Sequence, residues 1–205
     1  MPYSHQKQAL RFAVSIQKSL YKNRFQDFGP THQALHWSSV EAQEQRFHVF
    51  HEGLIWKGKS KVLDVGCGLG DYYGYLLRKK VQLDYLGIDI VEEFINHNKK
   101  KYPRARFECQ DLLSNPLTEH FDYIFCCGLF AFGNPHFFKE MITTLFALAN
   151  KTLVFNIFLV PIQDFFFLPP KEALHFCESL GAAHVRMVDG YAEGDYTVFI
   201  DKKKK

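Results

Sequence analysis

The chain has 205 residues, 47% of them hydrophobic, and carries 25 Lys and Arg against 22 Asp and Glu for a formal charge of +3. This length suits one domain with a two-sided core and is short for two, and the apolar share excludes a disordered chain. The basic clusters are short (Arg78-Lys79-Lys80, Lys99-Lys100-Lys101, Lys202 to Lys205), so charge gives no nucleic-acid footprint.

In chain order, residues 4–28 carry apolar side chains at helical spacing (Leu10, Phe12, Ala13, Ile16, Leu20, Phe25) and predict one amphipathic helix or two short ones. Gly29-Pro30 ends that segment. Ser38 or Ser39 can cap a second helix reaching about Leu54, with Phe47, Val49, Phe50 and Leu54 inward. From Lys61 the pattern changes to strands alternating with helices. Strands are expected at 61–65, 84–89, 105–109, 121–127 and 152–158. Helices are expected at 72–78, 92–101, 136–148 and 171–180, and a closing hairpin at 183–188 and 196–201. Short connections between alternating elements predict a Rossmann-like α/β fold. Its seven-stranded sheet is mostly parallel with one antiparallel strand, helices cover both faces, and residues 1–54 form an N-terminal helical extension, or lid. Residues 55–201 make the main domain and 202–205 a lysine tail.

The five cysteines (Cys67, Cys109, Cys126, Cys127, Cys177) show neither metal spacing nor a disulfide framework, and read as buried, reduced thiols. The ten histidines form no HExxH, so no metal is expected. No apolar run is long enough to cross a bilayer, and the N-terminus has no signal-peptide core, so a soluble, cytoplasmic protein is expected.

Asp64-Val65-Gly66-Cys67-Gly68-Leu69-Gly70 falls where the first strand turns into a helix. Glycines there let a ligand approach the backbone without Cβ atoms in the way. A dinucleotide fingerprint GxGxxG fails: its third glycine would fall at Asp71 or Tyr73. This disfavours a nicotinamide-dependent oxidoreductase. An acid at Asp64 would repel a pyrophosphate and suits a ligand carrying an ammonium group.

On these residues the sequence resembles the class I S-adenosylmethionine-dependent methyltransferases, whose first motif Val62 to Gly70 match throughout. The resemblance runs from about Arg46 to Asp201 and implies S-adenosyl-L-methionine as cofactor. It assigns Asp64, Gly66, Cys67, Gly68 and Gly70 to the first turn. Asp89, with Ile90 beside it, matches the acid that accepts both ribose hydroxyls. Gln110, Asp111 and Leu112 match the segment facing the adenine, although Asp111 can equally cap a turn. Cys127 and Gly128 match the segment that passes the methionine part. Arg46 matches an arginine that holds the cofactor carboxylate in ubiquinone-biosynthesis O-methyltransferases; a solvent-facing helix arginine is the alternative. Gly29-Pro30-Thr31, Trp37-Ser38-Ser39, Glu41-Ala42-Gln43 and Arg46-Phe47 also look like a subgroup of small bacterial methyltransferases of unassigned substrate. Ala173 to Cys177 and Asp195 to Val198 fit that subgroup as well.

Methyl transfer needs positioning and exclusion of water more than protein chemistry. Phe130, Phe132 and the run Phe165-Phe166-Phe167 are candidates for the pocket wall; the 21 Phe and 10 Tyr of the chain can equally be core packing. A protonated acceptor needs a base, for which His136 after strand four and His32 in the lid are candidates, while Asn156 on strand five can orient an acceptor. Cys127-Gly128-Leu129-Phe130 replaces the Asn/Asp-Pro-Pro-aromatic motif of amino-methylating nucleic-acid enzymes. A small-molecule acceptor is therefore favoured over RNA or protein. A non-catalytic module that only binds adenosylmethionine is the remaining reading.

Overall fold

The computed structural model describes residues 2–162 and 165–203, with backbone alone for residues 2–13. The side chains of Leu10, Phe12 and Ala13, and the tail residues Lys204 and Lys205, lie outside the described residues. Among the described residues seven strands form one sheet. They are β1 (Ser60–Val65), β2 (Leu83–Asp89), β3 (Arg106–Cys109), β4 (Phe121–Cys126), β5 (Ala149–Phe158), β6 (His184–Val188) and β7 (Asp195–Asp201). The helices are α1 (Pro2–Phe28), α2 (Val40–Glu52), α3 (Asp71–Arg78), α4 (Glu92–Lys101), α5 (Pro135–Leu148) and α6 (Pro170–Ser179), with a 3₁₀ turn at His32–Leu35.

The sheet runs β3-β2-β1-β4-β5-β7-β6. The pairs among β3, β2, β1, β4 and β5 are parallel, and β7 lies antiparallel to both β5 and β6. The chain reverses its walk across the sheet between β1 and β4, and open α/β sheets bind ligands at the strands' carboxyl ends at such a switch point. Parallel central strands are covered on both faces, which explains why β4 reads as a nearly unbroken apolar run.

On one face Phe47 and Phe50 of α2 and Tyr72, Tyr75 and Leu76 of α3 pack against Val62, Tyr123, Phe125 and Phe199. On the other, Phe138, Ile142 and Leu145 of α5 and Ala173 and Cys177 of α6 pack against Leu63, Ile124 and Leu153. Much of the aromatic surplus is spent here: Phe130, Phe138 and Phe155 are mutually edge-on in the second core layer.

Three expectations need correction. Ile16 is 53% exposed, and α1 turns Val14, Gln17 and Tyr21 inward beside the expected Phe25. The polar member of that face is anchored because Gln17 Nε2 donates to Phe132 O at 2.7 Å. Cys109 is exposed: it is the last residue of the edge strand β3, in which Phe107 alone is buried. Phe130 is buried core and does not wall a pocket. All five cysteines, among the described residues, are free thiols.

Candidate functional site

Gly66, Gly68 and Gly70 hold φ values of 72°, 50° and 69°, a left-handed region that L side chains rarely adopt. A Cβ at Gly68 would stand 3.0 Å from both Leu35 methyls, and one at Gly66 would stand 3.0 Å from Leu129. The turn is built onto its neighbours. Gly66 N and Cys67 N both donate to Ile88 O, at 2.9 and 3.0 Å. The Gly68 peptide is clamped at both ends: its N–H donates to Asp89 Oδ2 at 2.9 Å, and its carbonyl accepts from Asn98 Nδ2 at 2.7 Å. Asn98, wholly buried on α4, had no motif to mark it in the sequence.

Asp89 ends β2 with its second oxygen accepting from Val91 N at 2.9 Å. Burial pushes its carboxyl up to about 6, and the N–H donors of Val91 and Gly68 oppose that rise. A carboxylate has about four acceptor sites, so it can take a further hydroxyl beside these backbone donors. Asp64, 2% exposed, is pushed up to about 7 by burial, while the Tyr85 hydroxyl donating at 2.6 Å favours its charged form. Both acids border a hollow of about 710 Å³, counting the solvent in its mouth, together with Gly66, Cys67, Gly68, Ile90, Cys127 and Gly128. Burial raises the Cys127 thiol far above its ordinary range, so it is an uncharged wall. Tyr72 also lines this cavity, and its buried hydroxyl has no hydrogen-bond partner among the described residues.

A smaller hollow adjoins along Ile90, Gln110, Asp111 and Leu112, sharing Gln17, Gly66 and Asp89 with the first cavity. Asp111 Oδ1 accepts from Leu113 N at 3.1 Å, so one oxygen caps the turn after β3 while the residue still borders the hollow. On the other side an open cleft of about 1200 Å³, counting solvent in its mouth, shares Tyr21, Leu35, Trp37 and Gly128 with the first cavity.

Arg46 and Asn156 meet in that cleft. Asn156 Oδ1 accepts from Gly128 N at 2.8 Å, and its Nδ2 donates to Asp195 Oδ2 at 2.9 Å. Arg46 Nε donates to the same carboxylate oxygen at 2.5 Å, and its guanidinium lies 4.9 Å from the Trp37 ring centroid. The ion pair is almost fully buried, with side chains 8% and 1% exposed. Arg46 thus borders the cleft rather than the cavity beside the glycine turn, and Asn156 braces the Gly128 loop.

The structure does not bring His136 to either cavity. Asn134 accepts from Phe137 N at 2.9 Å to cap α5, and Pro135 begins the helix. That register turns Phe137 and Phe138 inward and leaves His136 exposed. His32 lines neither cavity. The histidine that does is His36, which follows the 3₁₀ turn at φ 62° and borders the cleft. Phe132 and Phe165 pack edge-on against it with centroids at 5.0 and 6.3 Å. Phe165 lines the cleft, whereas Phe166 packs partly into the core and Phe167 is 37% exposed.

Residues 62–151 match the sequence profile of a family described as a methyltransferase domain. No curated protein sequence matches the chain. Among solved structures, a complex of DhpI with SAH covers 94% of this chain and 98% of its own at 16% identity and a TM-score of 0.71. Magnesium protoporphyrin IX methyltransferase from Synechocystis with bound SAH covers 80% and 82% at 17% identity and TM-score 0.62. A TehB-like SAM-dependent methyltransferase from Corynebacterium glutamicum covers 78% and 88% at 20% identity and TM-score 0.61. At these identities the structural likeness establishes the fold, and the profile match is confined to residues 62–151. The chain thus shares the fold of these methyltransferase structures, and its residues 62–151 resemble a methyltransferase domain.

Proposed function

We propose that this protein transfers the methyl group of S-adenosylmethionine to a small molecule held in the cleft beyond Gly128. The observation carrying this reading is the pair of cavities at the sheet's switch point, joined through Tyr21, Leu35, Trp37 and Gly128. The cofactor, when bound, supplies a methyl group already activated on a sulfonium. The residues present fit it: a glycine cradle that Cβ atoms would fill, a carboxylate with further acceptor sites at Asp89, and an unpartnered Tyr72 hydroxyl.

In this reading Asp89 takes the ribose diol with Ile90 beside it. Asp64 faces the ammonium group, Gly66, Cys67, Gly68 and Gly70 give the backbone approach, and Gln110, Asp111 and Leu112 border the adenine. Cys127 and Gly128 flank the methionine part, and Arg46 offers its guanidinium to the carboxylate from the cleft side. Asn156 is a positioning residue that acts through the Gly128 peptide. Residues 1–54 act as a lid, because Gln17 and Tyr21 of α1 roof the first cavity and the segment 35–38 divides it from the cleft. Among the described residues no helix is long and apolar enough to cross a membrane, and no group of His, Cys, Asp and Glu could hold a metal. A cytoplasmic setting belongs to the same reading and is supported by the free thiols.

Thermal melts with S-adenosylmethionine and with NADH, added separately, test the reading. At a hundred times its dissociation constant the right ligand stabilises by about 2.7 kcal/mol, enough to raise the midpoint by roughly 5–10 °C in a chain of this size. A rise with S-adenosylmethionine alone is expected, followed by SAH release with small acceptors and none with RNA or protein. A rise with NADH alone, or turnover confined to RNA, contradicts it.

A further inference from the structure

The acceptor cleft contains one histidine whose chemistry is not used by anything around it. His36 is one of two described residues other than glycine with positive φ, at 62°. Such a conformation is tolerated by histidine at a cost of about 1–2 kcal/mol, and it orients the ring between Tyr21, Phe132 and Phe165. Nε2 is buried with no hydrogen-bond partner among the described residues. Burial, reinforced by the Arg24 guanidinium, lowers the imidazole to about 4, so the ring is neutral near pH 7. A neutral imidazole carries its proton on one nitrogen and a lone pair on the other. Nδ1 is not enclosed in the way Nε2 is, and an N–H on the buried Nε2 leaves the other nitrogen able to accept. The lone pair then sits on Nδ1.

We propose that the cleft takes a neutral hydroxylated aromatic acceptor whose O–H donates to His36, which removes that proton as the oxygen is methylated. The assignment rests on the methyltransferase reading above and adds the substrate class and the base. The body of the acceptor is specified by the walls: Trp37, Ile157, Phe158, Ile162 and Phe165 offer flat and branched apolar surface. The charge is specified by the acids. Asp195 is matched by Arg46, while Glu193 at the mouth adds a carboxylate that repels an anionic acceptor. The reacting group follows from the base. A neutral amine attacks with its lone pair and needs no proton removed beforehand, whereas a hydroxyl does. The burial that keeps the ring neutral also makes it a weak base, so the proton moves only as the C–O bond forms and the hydroxyl becomes strongly acidic, which a phenol reaches most readily. In the step, the acceptor oxygen bonds the methyl carbon, the sulfur keeps the electron pair of the broken C–S bond, and the hydroxyl proton passes to His36 Nδ1 and then to water.

The test uses full-length protein saturated with SAH and three probes of one shape: 2-naphthol, 2-naphthoate and 2-naphthylmethylamine. Calorimetry is expected to show 2-naphthol binding most tightly. His36→Asn, which suits the same backbone conformation, is expected to weaken that binding about tenfold and leave the SAH dissociation constant within about twofold. With S-adenosylmethionine, His36→Gly is expected to methylate 2-naphthol at least about a hundredfold more slowly, and added imidazole to restore part of the rate. Preference for naphthoate or the amine, no heat with 2-naphthol, or full activity in His36→Gly overturns the proposal and leaves the methyltransferase reading intact. Absence of SAH binding to wild-type protein overturns both.

Discussion

Lowering the pH should loosen the cofactor by a calculable amount, because Asp64 sits where its charge is wanted and its burial resists that charge. Its carboxyl is raised to about 7, first by desolvation and then by the neighbouring Asp89 and Asp71, against the Tyr85 hydrogen bond. A ligand ammonium beside it favours the ionised form, so binding below that value must release a proton. Each pH unit below about 7 then costs up to about 1.36 kcal/mol of binding. Going from pH 7.5 to 5.5 should therefore weaken SAH by roughly 2 kcal/mol, about thirtyfold. Asp89, raised to about 6, adds to this only at the acid end. The sign for the unliganded protein is opposite. A carboxyl raised on folding lowers stability as pH climbs from its unfolded value near 4, so the free protein should lose stability between about pH 4 and 7. The cost at Asp64 is on the order of 4 kcal/mol. Calorimetry in two buffers of different ionisation enthalpy counts the released proton directly, with close to one expected at pH 6. A dissociation constant flat from pH 8 to 5.5, or an unchanged slope in Asp64→Asn, would refute the reasoning.

Asp89→Ala removes the acceptor of both the Gly68 and Val91 N–H groups; SAH affinity should fall by about 1–3 kcal/mol, read by calorimetry. Gly68→Ala forces a side chain into φ 50° and against Leu35. It should cost about 1–2 kcal/mol of stability in denaturant melts and weaken cofactor binding as well. Asp195→Ala leaves the buried Arg46 unpaired and should destabilise by roughly 3–5 kcal/mol. Asp195→Asn, which keeps an acceptor for Arg46 and Asn156, should cost clearly less in the same melts.

The fold was legible because its signals are local. Alternating strands and helices, the Gly66-Gly68-Gly70 spacing and the acid ending β2 each report a short-range requirement, and the sheet built from them brings Asp64 and Asp89 to one hollow with Gly66 and Gly68. What could not be read depends on distance or register. Arg46 and Asp195 lie 149 residues apart, and no pattern links them before β7 pairs with β5. Gln17 breaks the apolar face of α1 because its amide finds a carbonyl on a distant loop. His36 lies in an aperiodic stretch, and its left-handed backbone and sealed nitrogen arise only once Phe132 and Phe165 close over it. His136 was misread for a local reason: Asn134-Pro135 followed by Phe137-Phe138 is a cap-and-core register that points the intervening side chain outward.

Titration of SAH into the wild-type protein at pH 7.5, with folding verified by circular dichroism, addresses the central claim most directly. One ligand per chain is expected to bind with measurable heat. Folded protein that gives no heat with SAH, or with S-adenosylmethionine under the same conditions, would contradict the account.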